Sequence, residues 1–313
     1  MDALVFSLLN GVIYGLLLFM VSAGLTLIFG MMGVLNFAHA SFYMLGAYFA
    51  YTLQGVMGFA PAIVAATLLA GAVGVVVERW FLRRVHRHGH AHELLLTFGL
   101  SFIIAETIKL LFGNHPVDYR IPASLDFAAF SIGSQQYPAY RLLMGAVAAT
   151  MFVAIWLLLT RTRVGIVVRS AIYRPRMAEA LGHNVQLVFM GVFGVGAALA
   201  GLAGAVAGAF YTTNPNMALE IGVMVFVIVV VGGLGSLGGA MVASLLIGIV
   251  TSLAVGIDHS LADLLAWVGV GEWAEGVGGL LTLKVSSLAA TIPFALMLLI
   301  LLVRPSGLMG EKA

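Results

Sequence analysis

The sequence predicts an all-α polytopic membrane protein of about nine (eight to ten) transmembrane helices, some of them broken or re-entrant. Composition and the lengths of the apolar runs carry that prediction. Of 313 residues, 62% are hydrophobic with glycine left out and only 9% are charged. A soluble domain is near 45–50% apolar with glycine included, and about 25% charged. Mean hydropathy is +1.09, and no water-facing fold hides that much apolar surface. Disorder and nucleic-acid binding are excluded, because both need charge that this chain lacks. There is no cysteine, so disulfides and thiol chemistry play no part.

A bilayer core of about 30 Å takes roughly 20 apolar residues per helix. The spans are expected at 4–29, 40–56, 60–78, 94–112, 142–160, 187–211, 221–236, 239–256 and 286–303. Only Gly30 to His39 separates the first two, and a glycine-rich turn separates the seventh from the eighth. A cleaved signal peptide is not expected, since Asp2 rather than a basic cluster precedes a first apolar run too long for an h-region. The remaining stretches, 113–141, 161–186 and 257–285, each have fewer than 30 residues. The chain therefore reads as one transmembrane domain over 1–313, and an energy source is expected on another polypeptide.

Orientation follows from Lys and Arg. Arg79, Arg83, Arg84, Arg87, Arg161, Arg163, Arg169, Arg174, Arg176, Arg304 and Lys312 share one side. Arg120, Arg141 and Lys284 lie on the other, with Asp118, Asp126, Glu220, Asp258, Asp263, Glu272 and Glu275. The basic side is expected to be cytoplasmic, which puts the N-terminus outside and the C-terminus inside after nine crossings.

Several motifs have a chemical reading and a structural one. Gly233 to Gly238 match G-x-G-x-x-G, with Asp258 twenty residues on. Dinucleotide binding needs a strand and a helix around that motif; here membrane spans flank it, so the glycines are read as helix contacts or breaks. No lysine is followed by Ser or Thr, so there is no Walker A loop. His86, His88, His90 and His92 alternate on a basic loop. A flexible loop could gather them around zinc, but no cluster elsewhere completes a site, and a solvated loop is the preferred reading; no metal and no cofactor is expected. Glu106 and Lys109 share a helix face at i,i+3 and read as a self-neutralising pair inside a span. Gly11/Gly15, Gly204/Gly208 and the series Gly194, Gly201, Gly208 are spaced for close helix contact.

Two breaks stand out, one per half: Gly30 and Gly33 in the first, Gly232, Gly233 and Gly235 in the second. Broken apolar segments in both halves point to a transport pathway between them. Polar groups near the first break are candidates to line it: Asn36 and His39, then Asn10 and Tyr14. Asn36 also reads as a helix cap. On the basic loop at about 161–186, Met177 to Leu181 suit a short helix after Pro175, stopped by Gly182. Such a helix offers a grip for a partner protein or an anchor on anionic lipid.

Gly24-Leu25-Thr26-Leu27-Ile28-Phe29-Gly30, Val34-Leu35-Asn36-Phe37-Ala38-His39 and Met44-Leu45-Gly46-Ala47-Tyr48 together resemble the N-terminal signature of one permease family. It is the H-type membrane subunit of branched-chain amino acid ABC importers. Thr162–Asn184 resembles its cytoplasmic loop, Gly232–Ala240 its glycine-rich segment, and Arg304-Pro305-Ser306-Gly307-Leu308 its ending. Ala40 and Gly238 depart from it, where glycine and proline are usual.

The resemblance implies a fold of the ABC importer permease type in a bacterial inner membrane. It further implies a second permease subunit, two ABC ATPase subunits and a periplasmic or extracellular solute-binding protein. Arg169, Glu179, Ala180 and Gly182 fall at the positions of the loop that meets an ATPase. The function the resemblance implies is ATP-driven import of a small amino-acid-like solute, branched-chain amino acids first, into the cytoplasm, without covalent chemistry in this chain. The alternative is a stand-alone channel or secondary carrier for a small neutral solute such as urea or an amide, which glycine packing and broken helices fit equally well.

Overall fold

The computed structural model describes residues 2–132, 135–257, 259–266, 269–270, 273, 276–277, 279 and 282–310. Asp258, Glu272, Glu275 and Lys312 of the charge count lie outside the described residues. Helices dominate: α1 (Asp2–Met32), α2 (His39–Met57) and α3 (Phe59–Val77), which continues through a π turn (Glu78–Leu82) into α4 (Arg83–Val85). After a 3₁₀ turn at His86–His88 come α5 (His90–Phe112), α6 (Ala139–Arg161), α7 (Arg163–Tyr173) and α8 (Pro175–Ala180). Then follow α9 (Val185–Ala207), α10 (Met217–Gly232), α11 (Leu237–Gly256), α12 (Leu261–Ala266) and α13 (Ile292–Val303). Among the described residues, six helices are long and apolar enough to cross a membrane, and α10 and α13 are shorter apolar helices.

All nine expected spans are helices, and their limits differ for local reasons. Gly30 stays helical, because α1 runs on to Met32 and ends only where Gly33 takes φ +67°. The break is therefore 33–38 rather than 30–39. α10 lies four residues earlier than expected and stops at Gly233, whose φ of +100° an L side chain rarely adopts. The last span starts at Ile292 rather than 286, with Pro293 in its first turn after a 3₁₀ turn at Val285–Leu288. The sequence reading did not foresee the antiparallel hairpin of β1 (Ala128–Ile132) and β2 (Gln135–Pro138). It is pinned by Phe130 stacked on Tyr137 with ring centroids 5.2 Å apart.

Glycine sets the helix spacing. A methyl added at Gly11 would lie 2.7 Å from the Ile249 Cα, and one at Gly15 equally close to the Ser244 carbonyl oxygen. At the far end of α1, a methyl on Gly30 would lie 2.9 Å from the Gly235 Cα. α1 and α11 thus run antiparallel with backbones in contact, and the two predicted breaks touch each other. α9 is the second seam. Its Gly196 faces Gly24 and Ile28, Gly201 faces Ala70, and Gly204 leaves no room for a side chain against Tyr43. Without a hydrophobic driving force in lipid, such close packing holds helices together.

One face of the bundle gathers α4, α7, α8, the 233–236 turn and the chain's ending, where the Leu308 and Met309 amides donate to the Val231 and Gly232 carbonyls at 2.8 and 3.0 Å. It carries every described member of the expected basic set. The opposite face gathers the start of α1, the hairpin and the 113–127 and 208–216 segments, joined by the Tyr119 and Tyr140 hydroxyls donating to the Ala205 and Val206 carbonyls at 2.7 and 2.6 Å. On that face Ser260 and Asp263 cap α12 reciprocally, and the Ser260 amide holds the exposed Asp263 carboxyl below the usual carboxylate range. The described chain ends lie on opposite faces.

Gly204→Leu is expected to cost at least the 1–3 kcal/mol typical of overpacking (roughly), and to abolish a monodisperse elution profile in detergent. Gly191→Leu on the same helix, where nothing lies within 4 Å of an added methyl, is expected to behave as wild type in the same chromatography.

Candidate functional site: a cavity at the first break

Residues 33–38 turn back into the bundle, so α2 starts beside residues 21–24 of α1 rather than at the face where α1 ends. The His39 imidazole shows this: it is 1% exposed, and its Nε2 donates to the Val21 carbonyl at 2.9 Å. With Nε2 committed as donor, Nδ1 has no hydrogen-bond partner among the described residues. Asn36 closes an Asx turn, its Oδ1 accepting from the Ala38 amide at 3.0 Å, and its buried Nδ2 likewise has no partner there. The next free amide, Phe37, donates to Thr97 Oγ1 of α5 at 3.2 Å. Thr97 in turn donates to the Glu93 carbonyl at 3.0 Å. The side chain of Glu93 is buried against His86, with its Oε2 3.2 Å from His90 Nδ1. The expected solvated histidine loop is thus partly helical and anchors the foot of α5. Among the described residues, no group of three or more His, Asp or Glu side chains is placed to hold a metal ion.

Between this re-entrant segment, α5 and α10 lies a cavity of about 390 Å³, within the range of small-molecule sites. Asn36, Phe37 and His39 line one end, the aromatic residues Phe98, Phe102 and Phe226 form its walls, and Glu106, Lys109 and Asn216 line the other end. Phe37 meets Phe98 edge-on at 6.3 Å and stacks on Phe226 at 6.5 Å. The cavity is mostly apolar, with polar groups at its two ends.

The sequence-predicted residues divide. Asn36 and His39 line the cavity; Asn10 and Tyr14 do not. Asn10 accepts from Arg141 toward the opposite face, and Tyr14 packs partly buried against the core. Sequence reasoning missed the aromatic wall, although Phe98, Phe102, Ala105 and Lys109 follow an i, i+4, i+7, i+11 stripe on α5. Thr97 gave no signal, because its role depends on an amide sixty residues away.

On the basic face, α8 matches the expected short helix and ends at Gly182, φ +86°. The His183 amide donates to the Ala178 carbonyl at 3.0 Å, the signature of a Schellman stop. Ala178 is buried with Ala171 and Val185, while Glu179, Ala180 and Gly182 are exposed. Arg169 donates to the Leu159 carbonyl at 2.6 Å, bracing α7 on the end of α6. α7 itself was not foreseen. Thr162 caps it by accepting from the Gly165 amide at 3.2 Å. Its buried Val168 packs with Leu27 and Met31 of α1 and Val192 of α9, so α7 touches α1 just before the break.

A bundle of apolar helices with paired glycine breaks, a partly open cavity between helices and a basic amphipathic element at one face fits a polytopic membrane transport protein. A family model described as branched-chain amino acid transport system / permease component matches residues 7–301, and the chain belongs to that family. It is 28% identical over 318 residues to the high-affinity branched-chain amino acid transport system permease protein LivH of Escherichia coli (strain K12), covering 96% of this chain and 94% of that one. Identity to the protein of the same name from Salmonella typhimurium is 27% over 317 residues, with the same coverage. The probable branched-chain amino acid transport permease protein LivH of Methanocaldococcus jannaschii is 27% identical over 311 residues, 96% and 91% covered. Among solved structures, PsaBC from Streptococcus pneumoniae in complex with Fab aligns over 95% of this chain and 91% of that one, at 14% identity and TM-score 0.46.

Thr97→Val leaves the Phe37 amide without its acceptor, a loss worth about 1–3 kcal/mol for a buried donor. The expected result is a lower thermal unfolding midpoint in detergent for Thr97→Val and a near wild-type midpoint for Thr97→Ser.

Proposed function

We propose that the chain is the membrane-spanning subunit of an ATP-driven importer that carries branched-chain amino acids, or a close amino-acid-like solute, into the cytoplasm. One observation supports this above others: Val168 of the exposed basic element packs on Leu27 and Met31, immediately before the break that forms one end of the cavity. A push on the basic face therefore has a short packed path to the solute's surroundings.

In this reading the basic face is cytoplasmic by the positive-inside rule, with the N-terminus outside and the C-terminus inside a bacterial cytoplasmic membrane. A solute-binding protein delivers solute to the opposite face, and a second permease subunit completes the pathway. The cavity holds the solute between α2, α5 and α10, near Asn36 and His39. Two ATPase subunits grip α7 and α8 through Arg169, Glu179, Ala180 and Gly182. Closure of the ATPases shifts α7, Val168 carries the shift to the end of α1, and the re-entrant segment moves with it. The glycines at the breaks, Gly33, Gly233 and Gly235, with Gly30 and Gly232 in the helical turns that lead into them, let helix ends move without unsatisfied backbone facing lipid.

Glu179→Lys and Gly182→Pro test the coupling. Proline fixes φ near −65°, against +86° at Gly182. Both variants are expected to insert normally yet reduce uptake of labelled leucine to background, and Ala105→Trp, which fills the cavity, is expected to do the same. Wild-type uptake by all three, or leucine uptake by the purified chain alone in ATP-free vesicles, contradicts the importer reading; the latter supports a stand-alone carrier.

A further inference from the structure

Glu106 and Lys109 have so far only a structural account, as a pair that neutralises itself on α5. Their placement asks more of them. Both line the cavity, at the end away from Asn36. Lys109 Nζ lies 2.7 Å from Glu106 Oε1, and the Glu106 side chain is 61% exposed. Among the described residues, each is the other's ion-pair partner. Charged side chains within a membrane-spanning helix are costly and face cavities or partners. Here an opposite-charge pair stands beside Phe102, Leu219 and Val223, an apolar wall on two helices.

We propose that this pair reads both charges of the solute: Lys109 takes an α-carboxylate, Glu106 takes an α-ammonium, and the wall of Phe102, Leu219 and Val223 takes an apolar side chain. The proposal rests on the cavity being the solute's path. A single fixed charge attracts any counter-charged molecule, whereas a net-neutral pair of separate charges matches a zwitterion. A molecule carrying only one of the two charges leaves one member of the pair facing it unmatched, and sites with polar groups left unpaired discriminate strongly. A neutral solute such as urea gains little from the pair, while a zwitterion with an apolar side chain satisfies charges and wall together. The pair is thereby a specificity element rather than a helix ornament, and its i,i+3 spacing holds the two charges on one face.

The test uses the full chain in lipid nanodiscs, with equilibrium binding of three probes: L-leucine, its 2-oxo acid lacking the ammonium, and L-leucinamide lacking the carboxylate. Wild type is expected to bind leucine at least about tenfold more tightly than either analogue, a difference of about 1.4 kcal/mol. Glu106→Gln is expected to erase the preference over the 2-oxo acid and Lys109→Gln the preference over the amide, each leaving the other preference in place. The double swap Glu106→Lys with Lys109→Glu keeps the pair and is expected to restore both preferences, which separates charge reading from misfolding. Unchanged preferences in the single variants, a uniform loss for all three probes that the swap does not repair, or no preference in wild type overturns the proposal. Ala105→Trp tells that failure from failure of the underlying reading: wild-type leucine binding by it shows that the cavity is not the site, whereas binding blocked in Ala105→Trp together with unchanged preferences in Glu106→Gln and Lys109→Gln discards the pair alone.

Discussion

Backbone-to-backbone contact at glycine, first along α1 and α11 and then along α9, is the constraint on which the other features depend. Gly11 and Gly15 on α1 meet Gly248 and Ser244 on α11, and Gly30 meets Gly235 in the turn before α11, so the two helices run with their backbones in contact. That seam sets the last turn of α1, at Gly30, against the second break at Gly235. Gly24 meets Gly196 in the same way and opens the space in which the His39 ring reaches the Val21 carbonyl. A β-carbon at these positions would push the helices apart by ångströms, and lipid offers no compensating hydrophobic gain.

The cavity follows from the same asymmetry. α1, α2, α3, α9 and α11 are locked by small residues, while α5 stands mostly outside this packing and its inner face is aromatic. Large side chains on α5 and α10 hold those helices away from the re-entrant segment, and the remaining space is the cavity. Its end near Asn36 is irregular backbone within the bundle, where Asn36 Oδ1 and Thr97 Oγ1 take up the Ala38 and Phe37 amides. Of the six buried side-chain polar atoms without a partner among the described residues, Asn36 Nδ2 and His39 Nδ1 lie here, and the others belong to Tyr48, Arg83, Tyr137 and Thr251 elsewhere in the bundle.

Much of this is legible in the sequence, because in lipid the apolar run length is itself the structural signal. The helices at the nine expected positions, the two breaks, the glycine seams and the stop at Gly182 follow from local chemistry. What stayed hidden depends on contacts between distant segments. α7 is amphipathic rather than uniformly apolar, and only its packing of Val168 on α1 shows which face is inward. The Phe130–Tyr137 hairpin is too short and too polar around its turn to register against spans. Thr97 and Glu93 look like ordinary polar residues near a helix start until the re-entrant segment is seen to lean on one and the histidines on the other. Asn10 looked like a pathway residue by proximity in sequence to the first break's helix, but Arg141, 131 positions away, claims it.

The sequence's lack of cysteine makes the central claim directly measurable. Single cysteines at Phe37 and Leu219, on opposite sides of the cavity, would each be the chain's one thiol. Their labelling by a membrane-impermeant maleimide in oriented vesicles holding the whole transport complex is the measurement to make. The account predicts that leucine with its binding protein slows labelling at both positions, and that ATP shifts access from the outer to the basic face. Labelling at both positions that neither solute nor nucleotide changes would contradict it.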